Sequence, residues 1–435
     1  MQERIESTHK NKTSSLKKWI NVFSVGWFLA KRQIKGSSKA TTFLIVFIMM
    51  LTFLNLVVVS GILIGLIEGG NRANKEQYTG DVIITTLAGE NGIENTYEIE
   101  NTLRKMPGVS NISIRYAESG QAEANYKTRR DFSILQDIVG TQMVGIDLEE
   151  ENQLSGLRKF VVEGDFLDEK ESGYILMGAN LLRRYSSGFG DFFASLEGVY
   201  PGEEVKITLD GKTKTFIVKG IVDTKVDAVS MRIFMTEADF WRLVDRPALS
   251  ANEISIRLDS NTLVTPDDVK ANLVKAGFAT DGKIQTATEA IPEFLNQIKI
   301  AFGLLGNVIG LIGIVVASIT IFIVIFINAV TRRKYIGIMK GIGISEKAIE
   351  ISYILQSIFY ASFGGLLGTL IIYTMLVPLF NAHPLNFPFS DGILVAPIKG
   401  TSIRFFLLLF VTLIAGYIPA RMIVKKNTLD SILGR

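Results

Sequence analysis

Four windows of this chain are apolar and long enough to cross a bilayer: Thr41–Ile67, Ala301–Val330, Ile351–Phe380 and Ile403–Val424. A membrane span needs roughly 20 apolar residues in a helix that rises about 1.5 Å per residue. Inside hydrocarbon each backbone N–H and C=O must be bonded within its own segment, so these windows have to be helices. The fourth is the shortest, with only Phe405–Ala420 free of charge, between Arg404 and Arg421. The long stems of those arginines can carry their charges to the two interfaces. Forty polar or amphipathic residues precede the first window, which is too long for a signal peptide and lacks its cleavage site, so an anchor is expected there.

The first window runs 27 residues without charge, about 40 Å as a helix, and the second 31 residues from Ile300, about 46 Å, against a hydrocarbon core near 30 Å. Ala287–Ile300 continues the second, with Ile291, Phe294, Leu295 and Ile298 on one helical face. Both helices are expected to project beyond the bilayer as a stalk.

Charge is divided along the chain. Residues 68–297 hold 25 basic and 37 acidic residues, and the remainder 21 basic and 6 acidic. Lys17, Lys18, Lys31, Arg32, Lys35 and Lys39 precede the first span, Arg332, Arg333, Lys334, Lys340 and Lys347 follow the second, and Arg421, Lys425, Lys426 and Arg435 follow the fourth. The positive-inside rule makes these three regions cytoplasmic, with both termini inside and the acidic block outside. The chain has no cysteine, and His9 and His383 fall on opposite sides, so neither disulfide nor shared metal is expected.

Residues 14–34 place Leu16, Trp19, Ile20, Phe23, Trp27 and Ile34 on one helical side with lysines at the ends, the pattern of a helix lying in the inner-leaflet interface. Trp19, Phe23 and Trp27 are its membrane-interface candidates. Within the acidic block, Asp81–Leu87 and Val109–Tyr116 alternate as strands around a helical Ile93–Met106. Glu253–Leu258 reads as a strand, and Thr265 caps a helix to Gly277 with Pro266 at its first position. Lys283–Thr286 returns as a strand. Between these β–α–β units, Val205–Leu209 and Lys212–Ile221 form a hairpin around Asp210-Gly211. Val229–Met235 alternates as a strand, and Thr236 caps a helix with Asp239 completing a capping-box-like pattern.

Between the second and third spans lies TRRKYIGIMKGIGISEK, Thr331–Lys347. Tyr335, Ile338, Met339 and Ile342 recur at helical spacing, Gly341 and Gly343 stop the helix, and Ser345-Glu346 starts the next. Such a helix suits a partner at the membrane surface; a tight turn without a partner is the plain alternative. The block resembles the coupling-helix signature of MacB/FtsX-like ABC transporter permeases, a basic turn followed by IGILKAIGAS. Ile336-Gly337-Ile338-Met339-Lys340 stands for IGILK and Gly341-Ile342-Gly343 for AIG. Tyr335 departs from the acidic residue or glutamine many members carry. Val161–Tyr185 resembles that family's entry into its β-rich outer part, and Pro419-Ala420-Arg421 its closing pattern.

The resemblance implies an ABC ATPase docked on Tyr335, Ile336, Gly337, Ile338, Met339, Lys340, Gly341, Ile342 and Gly343, a second permease copy, and an outer partner such as a periplasmic adaptor, lipoprotein or hydrolase. It also implies a bacterial cytoplasmic membrane and no cofactor in this chain, ATP and Mg being held by the ATPase. No GxxxxGK[ST] loop is present, so the chain is expected to be non-catalytic. Leu154-Ser155-Gly156 lacks the rest of an ABC signature. Glu149–Glu151 and Lys127, Arg129 and Arg130 read as solvated surface charge. Asn55, Asn307, Asn328 and Gln356 within the spans read as interhelical hydrogen-bond formers, and Gly364, Gly365 and Gly368 as close-packing positions.

The expected fold is an α-helical membrane protein with four transmembrane helices and a mixed α/β extracytoplasmic domain between helices 1 and 2. That domain is a split β–α–β subdomain with an inserted β-rich subdomain. The expected segments are a cytoplasmic N-terminus with an interfacial helix (1–40), a first span (41–67), the outer domain (68–297, insertion about 151–250) and a second span (298–331). A coupling helix (332–348), third span (349–380), outer loop (381–402), fourth span (403–424) and cytoplasmic tail (425–435) follow. The expected work is mechanotransmission, ATP-driven export or extraction of a lipophilic substrate or lipoprotein. Signalling to a cell-wall hydrolase and a membrane-anchored sensor with no ATPase are the alternatives.

Overall fold

The computed structural model describes residues 2–127, 137–185, 194–244, 250–387 and 389–425. Arg129, Arg130, Lys426 and Arg435 lie outside the described residues. The helices are α1 (Gln2–Lys35), α2 (Lys39–Asn74), α3 (Thr96–Lys105), α4 (Leu148–Ser155), α5 (Asp227–Ser230), α6 (Glu237–Leu243), α7 (Pro266–Lys275), α8 (Glu293–Thr331), α9 (Arg333–Gly341), α10 (Glu346–Ile371), α11 (Val377–Ala382) and α12 (Ile398–Val424). The strands are β1 (Val82–Thr85), β2 (Val109–Ala124), β3 (Asp137–Ile146), β4 (Val161–Gly164), β5 (Tyr174–Gly178), β6 (Glu204–Leu209), β7 (Lys212–Val222), β8 (Arg232–Thr236), β9 (Glu253–Leu258), β10 (Lys283–Thr286), β11 (Leu385–Phe387) and β12 (Ser390–Gly392). The chain divides into two compact units, Met1–Gly65 with Ile298–Leu385 and Gly392–Arg435, and Leu66–Gln297 with Asn386–Asp391.

The first unit is helical, and among the described residues four helices are long and apolar enough to cross a membrane: α2, α8, α10 and α12. Their seam is written at four-residue intervals: Ile45, Met49, Phe53 and Val57 on α2, and Ala317, Ile321, Ile325 and Ala329 on α8. Side chains four apart share one helical face, so each set forms a ridge that packs against its neighbours. Tyr353 and Tyr360 of α10 and Leu408 and Ala415 of α12 complete the core. The α10 glycines are needed here. A Cβ on Gly364 would come within 2.5 Å of the Met49 Cβ, one on Gly365 within 2.7 Å of the Phe405 ring, and one on Gly368 within 2.7 Å of the Phe53 ring.

The second unit is a mixed α/β domain built on one sheet, in the order β10-β1-β9-β2-β3-β8-β5-β7-β4, with β6 on β2 and β7. Its first four strands come from two interleaved β–α–β units, β1-α3-β2 and β9-α7-β10, the split arrangement that places β1 between β10 and β9. Val82, Ile84, Ile112, Ile254 and Ile256 bury one core beneath α3 and α7. The inserted strands bury another around Met143, Ile175, Ile207, Phe216 and Ile233. The two halves are joined by β2, 16 residues long. Its first part pairs with β9 (Ile114 opposite Ile254), and its second with both β3 and β6 (Ala122 opposite Val139 and Ile207). The insertion is thus a continuation of the same sheet.

Local signals account for several edges. Asp210 and Gly211 both have positive φ, 49° and 76°, as a two-residue hairpin turn of the primed type requires. Thr265 and Asp268 form a reciprocal capping box at α7. Two readings are corrected. Val229–Met235 is not one strand: α5 occupies Asp227–Ser230, and only Arg232 onward is extended. The Ser230 hydroxyl accepts from Thr224 N at 2.9 Å and donates to its carbonyl at 3.1 Å, closing a turn that overrides the alternation. At α6, Thr236 does cap Asp239 N, but the Asp239 carboxylate accepts from Ser172 Oγ (2.6 Å) and Gly173 N (2.7 Å) instead of returning to the cap.

Candidate functional site

The block between α8 and α10 is a short helix held between two defined stops. The backbone breaks at Arg332 (φ −102°, ψ 12°) and resumes as α9. At its far end Gly343 takes φ +91°, the left-handed conformation that costs a side-chain-bearing residue about 1 kcal/mol or more. Gly343 N donates to Lys340 O and Ile344 N to Met339 O, both at 3.0 Å, which is a Schellman closure. Ile344 and Met339, the pair such a closure brings together, both pack against the core of the first unit. Two residues on, the Ser345 hydroxyl accepts from Ala348 N and caps α10.

The helix has two apolar sides. Ile336 and Gly337 are buried. Tyr335, Ile338 and Ile342 stand 68%, 51% and 73% exposed, an outward triad left uncovered by the described residues. Met339, expected on that outer face, is instead half-buried against the first unit's core, because its position on the helix lies on the flank nearest Ile336. Lys340 is anchored inward: its Nζ donates to Val424 O at 2.9 Å and meets Glu346 Oε1 at 2.7 Å. Gly341 has open space at its Cβ position.

Trp19, Phe23 and Trp27 are all more than half exposed. α1 packs against α10 so closely that a Cβ on Gly26 would meet Ile351 Cγ2 at 2.7 Å. Lys347 Nζ lies 4.8 Å above the Trp19 ring. Gln356 is buried and donates to Gln33 Oε1 of α1, an interhelical bond of the expected kind. Asn55 and Asn307 are exposed. No group of three or more potential metal ligands exists among the described residues.

The second unit holds a feature that sequence reading missed. Glu151 is only 2% exposed, not a solvated surface acid. It accepts from Arg115 Nε (2.7 Å), Arg115 Nη2 (2.9 Å) and Ser113 Oγ (2.7 Å). Glu253 takes a fork from Arg232 (2.7 and 3.1 Å) and lies 3.4 Å from Arg115 Nη1. Tyr78 donates to Glu253 at 2.8 Å and lies under both guanidinium groups, at 5.0 and 5.4 Å. Tyr78 belongs to the π-turn Lys75–Thr79 that extends α2 directly. Burial alone would raise the Glu253 carboxyl, but Arg232 and then Arg115 hold it down at about 2. The signal was available in part: Arg115, Glu253 and Arg232 all sit in strands, where charge amid apolar alternation points to pairing.

Residues 307–428 match the model of the FtsX-like permease C-terminal family, a range that takes in most of α8, all of α9 and α10, and α12. Over that range the chain is similar to FtsX-like permeases. Macrolide export ATP-binding/permease protein MacB of Neisseria gonorrhoeae is 24% identical over 188 residues, 42% of this chain and 27% of that protein. The chain spans little more than a quarter of that relative's length. An ABC transporter permease of Methanocaldococcus jannaschii is 22% identical over 376 residues, 81% of this chain and 92% of that one. The periplasmic region of MacB from Actinobacillus actinomycetemcomitans aligns with 48% of this chain and 88% of its own, at 14% identity and a TM-score of 0.32. With its four long apolar helices, the chain is a multi-pass membrane protein.

Proposed function

We propose that this permease works by mechanotransmission: a separate ABC ATPase docks on α9, and its motion passes through α2 and α8 to the outer α/β unit, which extracts or exports a lipophilic substrate or lipoprotein. The observation that carries this reading is the exposed apolar triad Tyr335, Ile338 and Ile342 on a helix whose opposite side is locked by the Gly343 closure and the Lys340 bonds. A rigid helix with apolar side chains on its free face can transmit a push, where a mobile loop would absorb it. The proposed topology puts α9 and both termini in the cytoplasm and Leu66–Gln297 outside, following the basic clusters. Continuity of α2 with the π-turn that Arg115, Glu253 and Arg232 grip supports the lever, as does the lack of acid or lysine within the spans.

The test is Ile338→Asp in the full chain, purified in mild detergent from cells expressing its own ATPase. A charge forced into a desolvated contact costs several kcal/mol, so the expected result is loss of the co-purifying ATPase at unchanged permease yield. An ATPase retained with full activity would place the partner elsewhere. Met339→Asp is unsuited, since Met339 faces the permease's own core.

A further inference from the structure

Between α1, the end of α8, α9 and α10 lies a cavity of about 540 Å³ within the first unit. Its cationic residues are Arg32 and Arg332, and Gln33 and Tyr353 line it beside them. A smaller recess shares Gln33, Arg332 and Tyr353 and adds Asn328 and Gln356. The remaining wall is largely apolar, with Phe28, Ile336 and Met339 among its side chains. Among the described residues no carboxylate lines either part.

Two observations make this more than a packing fault. Neither Arg32 nor Arg332 makes a hydrogen bond or ion pair among the described residues. The Tyr353 hydroxyl, on a side chain 1% exposed, has no hydrogen-bond partner among the described residues. Buried hydroxyls nearly always find one, and a guanidinium fork is shaped for a phosphate. The cavity also lies where α1 turns Trp19, Phe23, Trp27 and Phe28 outward, aromatic side chains of the kind that settle at headgroup depth.

We infer that this cavity binds the phosphodiester headgroup of an anionic glycerophospholipid, with Arg332 and Arg32 pairing with the phosphate, Tyr353 donating its hydroxyl, and the acyl chains leaving along the apolar wall. Such a lipid would tie the interfacial helix α1 to α9 and α10. The site uses the inner flank of α9 and shares only Tyr335 with the helix's exposed triad, so it does not require an ATPase docked there.

The experiment is native mass spectrometry of the full chain in detergent, titrated with dioleoyl phosphatidylglycerol, with dioleoylglycerol, which has the same tails without phosphate, and with glycerol phosphate, which has the headgroup without tails. Phosphatidylglycerol should bind at one saturable site, dioleoylglycerol should not, and glycerol phosphate should compete only weakly. Arg332→Gln should weaken phosphatidylglycerol about tenfold or more, as loss of a charge-assisted bond does. Tyr353→Phe should weaken it about threefold to tenfold, and Lys31→Gln, outside the cavity, not at all. Tyr353→Phe removes one oxygen that bonds nothing in the protein, so its thermal midpoint should hold and its binding can be read directly. Equal binding of dioleoylglycerol would reduce the cavity to an apolar groove, and glycerol phosphate binding as tightly as the lipid would make it a soluble-phosphate site. Unchanged phosphatidylglycerol affinity in Arg332→Gln or Tyr353→Phe also overturns the assignment.

Discussion

Glu253 shows how one residue ties a strand, a neighbouring strand and the end of a long helix together. With Arg232, Arg115 and Tyr78 around it, its charge is balanced and each oxygen is bonded. Glu253→Gln leaves Arg232 buried without its counter-charge, which should cost about 3–5 kcal/mol, seen as a fall in the thermal midpoint of the purified permease. Because its folded carboxyl lies at about 2, below the ordinary 4.5, the stability it contributes is present above pH 4.5 and is lost as pH falls from 4.5 toward 2. Glu237 has the opposite sign. Burial first, then Asp147, Glu150 and Glu100, raise its carboxyl to about 7, so the folded state binds a proton between pH 4.5 and 7 that the unfolded chain releases. Its penalty is absent below pH 4.5 and complete above 7. Glu237→Gln should therefore raise the midpoint at pH 8 and leave it unchanged at pH 4, and a gain equal at both would refute this.

Elements whose signals are local were readable before the structure. Asp210-Gly211 sets a hairpin turn, Thr265-Pro266 opens α7, and Gly343 with Ser345 ends one helix and begins the next, each through backbone chemistry confined to a few residues. Gly343→Ala should lower the thermal midpoint by an amount equivalent to about 1 kcal/mol, while Gly341→Ala, with open space at its Cβ, should cost nothing. What depends on residues far apart was not readable. Periodicity placed Met339 on the face of Tyr335 and Ile338, but which flank meets the core is decided by α10 and α12. Glu151 stands in a run of three acids, and what buries it are bonds to Arg115 and Ser113, 36 and 38 residues away. Likewise, the insertion looked like a separate β-rich piece because β2 was read to Tyr116, whereas it runs to Ala124 and carries the sheet across.

The whole permease is two units joined by α2 and α8, helices that each begin in one unit and end in the other. The proposed topology can be checked without background, since the chain has no cysteine. Lys212→Cys should react with an impermeant maleimide in intact cells, and Lys334→Cys only after permeabilisation; labelling of Lys334→Cys from outside would overturn the orientation. The central claim is that the free face of α9 is where an ATP-hydrolysing partner engages. The most direct measurement is a photo-crosslinking amino acid at Ile338, irradiated in membranes holding the full native complex, with the same group at buried Ile336 as the control. The predicted result is one protein adduct at Ile338, identified by mass spectrometry as an ABC ATPase, and none at Ile336. Adducts at Ile338 with lipid alone, in membranes where the ATPase is present and active, would contradict it.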